Sequence, residues 1–321
     1  MKLTGAYNCV LASIYNALRI NCRLEFPIQT MVVVPQLFRL YNWNHWLSSP
    51  PPMEIAEPFL ARIGADLGFP ETKGLDDAIQ QARERLRQGE VIPASINLRY
   101  SYFDPTPFDN DFWNYQLITG VTKEDRFLMF DMYHAEAYEV DEARLRSMMD
   151  TSFNYRNAGA FTPFMELIVR SDEHAHAVLQ GMNDQVGMLA AVTAYDADAN
   201  LEAGQLWLDR LQAHLAKVES DQFHAEVYRL MGHLMLILKS RTQFIQAAAT
   251  MGLYGDADDA FDEGWNTFVH AVPMNLFRRS HEAYSDMLTA YRELIGRERD
   301  GLNRIKERLV RHGAISGGVT S

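Results

Sequence analysis

What most constrains the fold is the disappearance of strand signals after about Ser171. Long helical patterns follow, over Glu173 to Tyr195, Leu201 to Val218, Gln222 to Met251, Ala257 to Phe277 and Ser280 to Leu309. Pro273 is the one proline after Pro163. With so few breakers, this half is expected to pack as an all-α bundle, whose Met- and Leu-rich helices suit a homodimer. Its histidines have no metal-ligand spacing beyond His174-Ala175-His176, a pair whose side chains diverge on a helix. No metal site is expected from them. Arg278-Arg279 falls where a helix is expected to start, an end at which cations are disfavoured, so the pair is solvated or meets an acidic partner.

The first half mixes signals. Thr4, Gly5 and Asn8 are loop and cap formers, and after Cys9 the apolar Val10, Leu11, Ile14 and Leu18 recur at helical spacing. Cys9 is thus expected in the first turn of a buried helix, where free N–H groups and the helix dipole lower a thiol's pKa. The plainer alternative is a small buried hydrophobe. Met31 to Val34 reads as a short strand or extended segment, and an aromatic stretch with Phe38, Tyr41, Trp43, His45 and Trp46 leads to the breaker run Pro50-Pro51-Pro52. These aromatics line a groove or cap a core. Helices are expected over Pro58 to Phe69 and Leu75 to Leu86, then an edge or starting strand over Val91 to Leu98 containing Pro93. A strand from Phe112 to Gly120, a turn at Lys123-Glu124-Asp125 and a returning strand to Asp131 form a hairpin. Tyr138 to Val140 and a helix from Asp141 to Met149 close the unit. The fold class expected is α+β for residues 1–170, an all-α bundle for 171–312 and a disordered tail over 313–321.

A charged share of 22% and a hydrophobic share of 47% are those of a soluble globular protein. The net charge of -12 argues against non-specific nucleic-acid binding, which depends on neutralising phosphates. No apolar run approaches the ~20 residues that span a bilayer. With two cysteines, no disulfide framework and no apolar leader core, a cytoplasmic location is expected. The chain lacks a phosphate-binding glycine loop, an HExxH and a Gly-x-Ser-x-Gly, which leaves Cys9 as the one candidate nucleophile with a supporting local context.

The segment Gly5-Ala6-Tyr7-Asn8-Cys9 with Ala12 and Asn16-Ala17-Leu18 resembles the opening of the butirosin biosynthesis protein H family. The strand from Val91 into the Tyr-rich stretch to Tyr102, the strand ending at Gly120, the hairpin bearing Asp131, and Arg278-Arg279 before Glu282-Ala283-Tyr284 extend the resemblance as scattered positions over nearly the whole chain. It implies a papain-like fold related to the bacteriocin-processing cysteine peptidases, joined to a helical domain. It also implies acyl transfer in bacterial natural-product assembly. The donor would be the phosphopantetheine thioester of an acyl carrier protein, the acceptor a small molecule, and no cofactor would be permanently bound. By the resemblance, Cys9 takes the acyl group and Asp131 orients the base. The family's His before the Cys is Asn8 here, and the base position at the head of the strand holds Asn114, which cannot remove a proton. His134 and His45, the histidines of the first half, are the substitutes available.

Tyr7 and Asn8 would help the helix start hold an oxyanion, and Trp43, His45, Trp46, Tyr100, Tyr102 and Trp113 would line a pocket for an acyl chain. The same pocket serves a second expectation, a degenerate protein that binds an acyl carrier protein or acyl chain without covalent chemistry. A hydrolytic peptidase is disfavoured, because an amine leaving group needs the general acid that Asn114 cannot be.

Overall fold

A computed structural model of the chain describes residues 3, 8–43, 45–100, 113–132, 135–155, 160–255 and 260–311. The fold is mixed α+β, with small antiparallel sheets and a helical C-terminal region. It divides into two compact units, one made of Met1–Ile28 with Ala56–Met182, the other of Gln29–Ile55 with Asn183–Ser321. Residues 29–55, read from the sequence as part of an N-terminal domain, therefore cluster with the helical half. The expected tail at 313–321 lies outside the described residues.

In the first unit, helix α1 (Cys9–Ile20) starts where the sequence places it. Asn8 is its N-cap, with a side-chain oxygen that accepts from the Val10 N–H at 2.8 Å. At the other end Asn21 clamps Val91, donating from Nδ2 to the Val91 carbonyl and accepting the Val91 N–H, both at 2.8 Å. That clamp fixes α1 against the start of a four-stranded antiparallel sheet. Its strands are β4 (Ile92–Asn97), β5 (Trp113–Val121), β6 (Phe127–Asp131) and β7 (Glu136–Val140), in that spatial order. Pro93 lies on the edge strand β4, where its missing N–H costs no ladder bond within the sheet. Helices α4 (Leu75–Arg87) and α5 (Glu142–Met149) cover the sheet, and Ile79, Ile96, Ile118, Met129, Val140 and Leu145 meet in one core cluster. Helix α3 (Pro52–Ile63) starts within the proline run that the sequence suggests is a loop, because proline is tolerated in a first turn. It ends before β3 (Ala65–Gly68), a strand unmarked in the sequence that pairs antiparallel with β8 (Glu166–Val169). Helix α6 (Asp172–Gly181) closes the unit.

In the second unit, Met31 and Val32 end a short helix, α2 (Ile28–Val32), rather than forming a strand. Both are buried, so packing overrides β propensity there. The aromatic stretch folds as a hairpin, β1 (Tyr41–Trp43) and β2 (Trp46–Ser48). The helices are α7 (Asp184–Thr193), α8 (Ala197–Leu215), α9 (Phe223–Thr250), α10 (Ala260–Arg278) and α11 (His281–Arg311). The single helix expected over Glu173 to Tyr195 is two, because Asn183 stops propagation by capping α7 through the Gln185 N–H at 2.9 Å. Arg278 closes α10 instead of opening a helix, an end where the dipole favours a cation. Arg279 follows at φ 49°, its guanidinium 3.7 Å from the Phe223 ring centroid.

A fully buried ion pair holds this unit together. Arg241 Nε donates to Glu298 at 2.9 Å, with both side chains inaccessible to solvent. Arg241 also donates to the carbonyls of Leu37 and Phe38, while Glu298 accepts from Trp265 Nε1 at 2.9 Å and the Tyr195 hydroxyl at 3.0 Å. Removing one partner of such a pair strands a charge in an apolar core, so Glu298→Ala is expected to lower unfolding free energy by about 3–5 kcal/mol. The apolar pair Arg241→Met with Glu298→Leu should recover part of that loss in urea denaturation; equal damage in both proteins would contradict the account. Gly204 on α8 supplies a second test. A Cβ there would come within 1.9 Å of the Tyr291 ring, whose hydroxyl is held to the Asn200 carbonyl at 2.8 Å. Gly204→Ala gains helix propensity on an isolated helix, yet here it should destabilise by about 1–3 kcal/mol, read as a lower Tm.

Candidate functional site

Cys9 is the first residue of α1 and is partly buried. The backbone N–H groups of Tyr115, Val10 and Cys9 itself lie near enough to its sulfur to favour the thiolate, and the Val10 N–H already donates to the Asn8 side chain at 2.8 Å. The sequence predicts a lowered thiol pKa, and the structure corrects this. Burial pushes the thiol up to about 11, the three N–H groups pull it down without compensating, and the negative charge of Asp131 pushes it up further. Cys22 is also raised to about 11, by burial and then by Asp172 and Glu90.

Asp131 lies at the end of β6 and is 2% exposed. Leu117 pairs with Phe130 across β5 and β6, which brings Gln116 opposite Asp131. Gln116 donates from Nε2 to the Asp131 carboxylate at 3.0 Å and accepts from the Tyr138 hydroxyl. Burial, then the Asp131 charge, raises the Tyr138 phenol far above its usual value, so Tyr138 stays a donor at any ordinary pH. Ser13, one turn along α1 from Cys9, donates to Met132 Sδ at 3.5 Å and ties the helix to the end of β6. The structure therefore assembles Cys9, Tyr115, Gln116, Asp131 and Tyr138 around the start of one helix.

Sequence reasoning missed Gln116, Tyr115 and Tyr138. The available signal was a glutamine inside the apolar run Tyr115-Gln116-Leu117-Ile118, two residues from Asn114 and so on the same face of the strand. Asn114 pairs with Ile96, and its buried Oδ1 has no hydrogen-bond partner among the described residues. The Asn8 side-chain oxygen is occupied by its own cap. Trp113 is 41% exposed and donates to Ser95 Oγ at 2.6 Å; Tyr100 is 38% exposed. Tyr7, Tyr102 and His134 lie outside the described residues, as does the Trp43 side chain.

In the second unit, His45 and Trp46 belong to another constellation. The His45 ring stacks on His214 with centroids 3.6 Å apart and 12° between planes, and Trp46 stacks on His233 at 5.6 Å. His45 Nε2 and His214 Nε2 lie 3.9 and 3.4 Å from the same oxygen of Glu226, Oε2. The other oxygen, Oε1, accepts from Arg229 at 2.6 Å. Burial, then the neighbouring His214, lowers the His45 pKa, opposed by Glu226. His45, His214 and Glu226 come from a hairpin turn and two helices, so no local spacing announces them.

No family model matches the chain, and no curated protein matches it either. Among the described residues, no helix is long and apolar enough to cross a membrane.

A raised thiol has a direct kinetic signature. Below its pKa, the thiolate fraction grows about tenfold per pH unit. The iodoacetamide alkylation rate of Cys9, followed by peptide mass spectrometry, should rise that steeply from about pH 7 to about pH 10 with no plateau. A plateau near neutrality would contradict the burial argument. The sign for stability follows from the same shift: the fold favours the neutral thiol. Cys9 therefore contributes stability that is complete below its ordinary value of 9.0 and is lost as pH climbs through about 11.

Proposed function

We propose that the chain is a Cys9-dependent acyltransferase or cyclase that draws its acyl group from the phosphopantetheine thioester of an acyl carrier protein. The observation that carries this reading is a thiol at the first residue of a helix, with the backbone N–H of Tyr115 from the facing strand beside it. The first unit, a helix beginning with cysteine followed by an antiparallel meander with a buried aspartate, is consistent with a papain-like arrangement. In the first step the Cys9 sulfur attacks the thioester carbonyl and the oxygen takes the negative charge, which helix-start N–H groups are suited to hold. The carbon–sulfur bond to pantetheine breaks, and the proton given up by Cys9 ends on the departing sulfur. One thioester replaces another, so no net acid or base is consumed. An amine or hydroxyl, from a small molecule or from the acyl chain itself, then attacks the Cys9 thioester, loses its proton and releases the thiol.

A thioester donor suits a site whose thiol is raised to about 11 and whose strand carries Asn114 where a histidine base would stand. Gln116 and Tyr138 hold Asp131 in place, and the orphaned Asn114 Oδ1 is an acceptor for a substrate N–H or O–H. The same raised thiol favours one second reading, in which the unit binds an acyl chain or its carrier without covalent chemistry.

Intact mass spectrometry after incubation with a panel of acyl-pantetheine thioesters tests the first reading. The expected result is a mass gain equal to the acyl group, absent in Cys9→Ala, which retains Cys22. No adduct from any thioester, or an adduct that persists in the variant, would sink it. Saturable binding of an acylated carrier protein without adduct would support the second.

A further inference from the structure

We infer that His45, His214 and Glu226 form a divalent zinc site in the second unit, separate from the cysteine chemistry. The geometry carries it. The ligand atoms of the three residues all lie within 4.8 Å of one another. Nitrogen and oxygen ligands about 2.0–2.1 Å from a tetrahedral ion sit roughly 3.3–3.4 Å apart, and the two His–Glu separations here are 3.4 and 3.9 Å. Completing the set requires the His45 ring to swing off its stack on His214, where the centroids are now 3.6 Å apart.

Two further observations point to a ligand between these groups. His45 Nε2 is buried yet has no hydrogen-bond partner among the described residues, an expensive state for a ring nitrogen aimed at a carboxylate 3.9 Å away. Glu226 is also divided in its roles. Oε1 is held by Arg229 at 2.6 Å, and Oε2 is turned toward both imidazoles. A ligating carboxylate fixed by an outer hydrogen bond is how metal sites are commonly braced.

Two imidazoles and a carboxylate are the borderline and hard donors that suit Zn²⁺, and three protein ligands leave a fourth position open. Both imidazoles border a surface depression lined also by Ala213, Arg210 and Lys217. The two cations on its wall favour an anion as fourth ligand: hydroxide, a carboxylate or a phosphate oxygen.

Zn²⁺ titration of the chelator-stripped full-length chain, against a chromophoric competitor, tests the site. One equivalent is expected to bind, with a rise in Tm that grows with metal concentration. Glu226→Gln and His214→Ala should each weaken binding more than about 100-fold, and Arg229→Ala by about tenfold, as an outer-shell partner should. Co²⁺ in the same site should give the intense visible absorption of a tetrahedral ion, lost in Glu226→Gln. Circular dichroism checks that the variants fold, and the near-isosteric Glu226→Gln preserves the test if His214→Ala does not. No stoichiometric binding by the wild-type chain would overturn the assignment. So would binding that survives Glu226→Gln, or that disappears when Cys9 and Cys22 are blocked.

Discussion

The Arg241–Glu298 pair is the constraint on which the second unit depends. Burying one guanidinium and one carboxylate costs several kcal/mol per ion, by order of magnitude, unless each is fully satisfied. The unit meets that condition by spending other groups on it: Leu37 and Phe38 carbonyls on the arginine, Trp265 and Tyr195 on the glutamate. Those partners come from three parts of the sequence, so the pair specifies which segments must meet. It also explains why residues 29–55 cluster with helices that begin far downstream. The carbonyls of Leu37 and Phe38 saturate the arginine, and Asn200 repeats the attachment by accepting from the Leu40 N–H and donating to Phe38.

The first unit is tied together in large part by side-chain amides. Asn8 starts α1, Asn21 clamps its far end to Val91, and the meander sets Gln116 opposite Asp131. Asn8 acts locally, whereas Asn21 and Gln116 reach residues distant in sequence, and the helix-start thiol lies beside the N–H of Tyr115. The consequence opposes the simplest view of a cysteine at a helix N-terminus. Donors alone do not make a thiolate when burial and a nearby aspartate act the other way. The thioester exchange proposed for this sulfur would suit it, because such an exchange returns the proton that it takes.

Much of this was legible in the sequence. Helical spacing after Cys9, the strand that contains Pro93, the hairpin returning to Asp131 and the helical second half all stand where periodicity and breakers put them. The failures are also instructive. Met31-Val32 has β-branched character but is wound into a helix, and Pro52 starts a helix rather than ending structure. The aromatic stretch carried the right residues and the wrong neighbours, since Trp46 and His45 stack on histidines from α8 and α9.

The sequence by itself determined what repeats over a few residues: helix, strand, cap and the placement of Cys9 at a helix start. Those depend on near-neighbour sterics and hydrogen bonds that residue type encodes directly. Only the tertiary structure decided which charges share a dielectric and which donors share an atom. His45 and His214 are remote from each other in sequence and converge on one carboxylate oxygen of Glu226. The Cys9 thiol is raised by a desolvation that no local motif records. Burial and through-space charge belong to the packed chain, so they become readable only once the chain is folded.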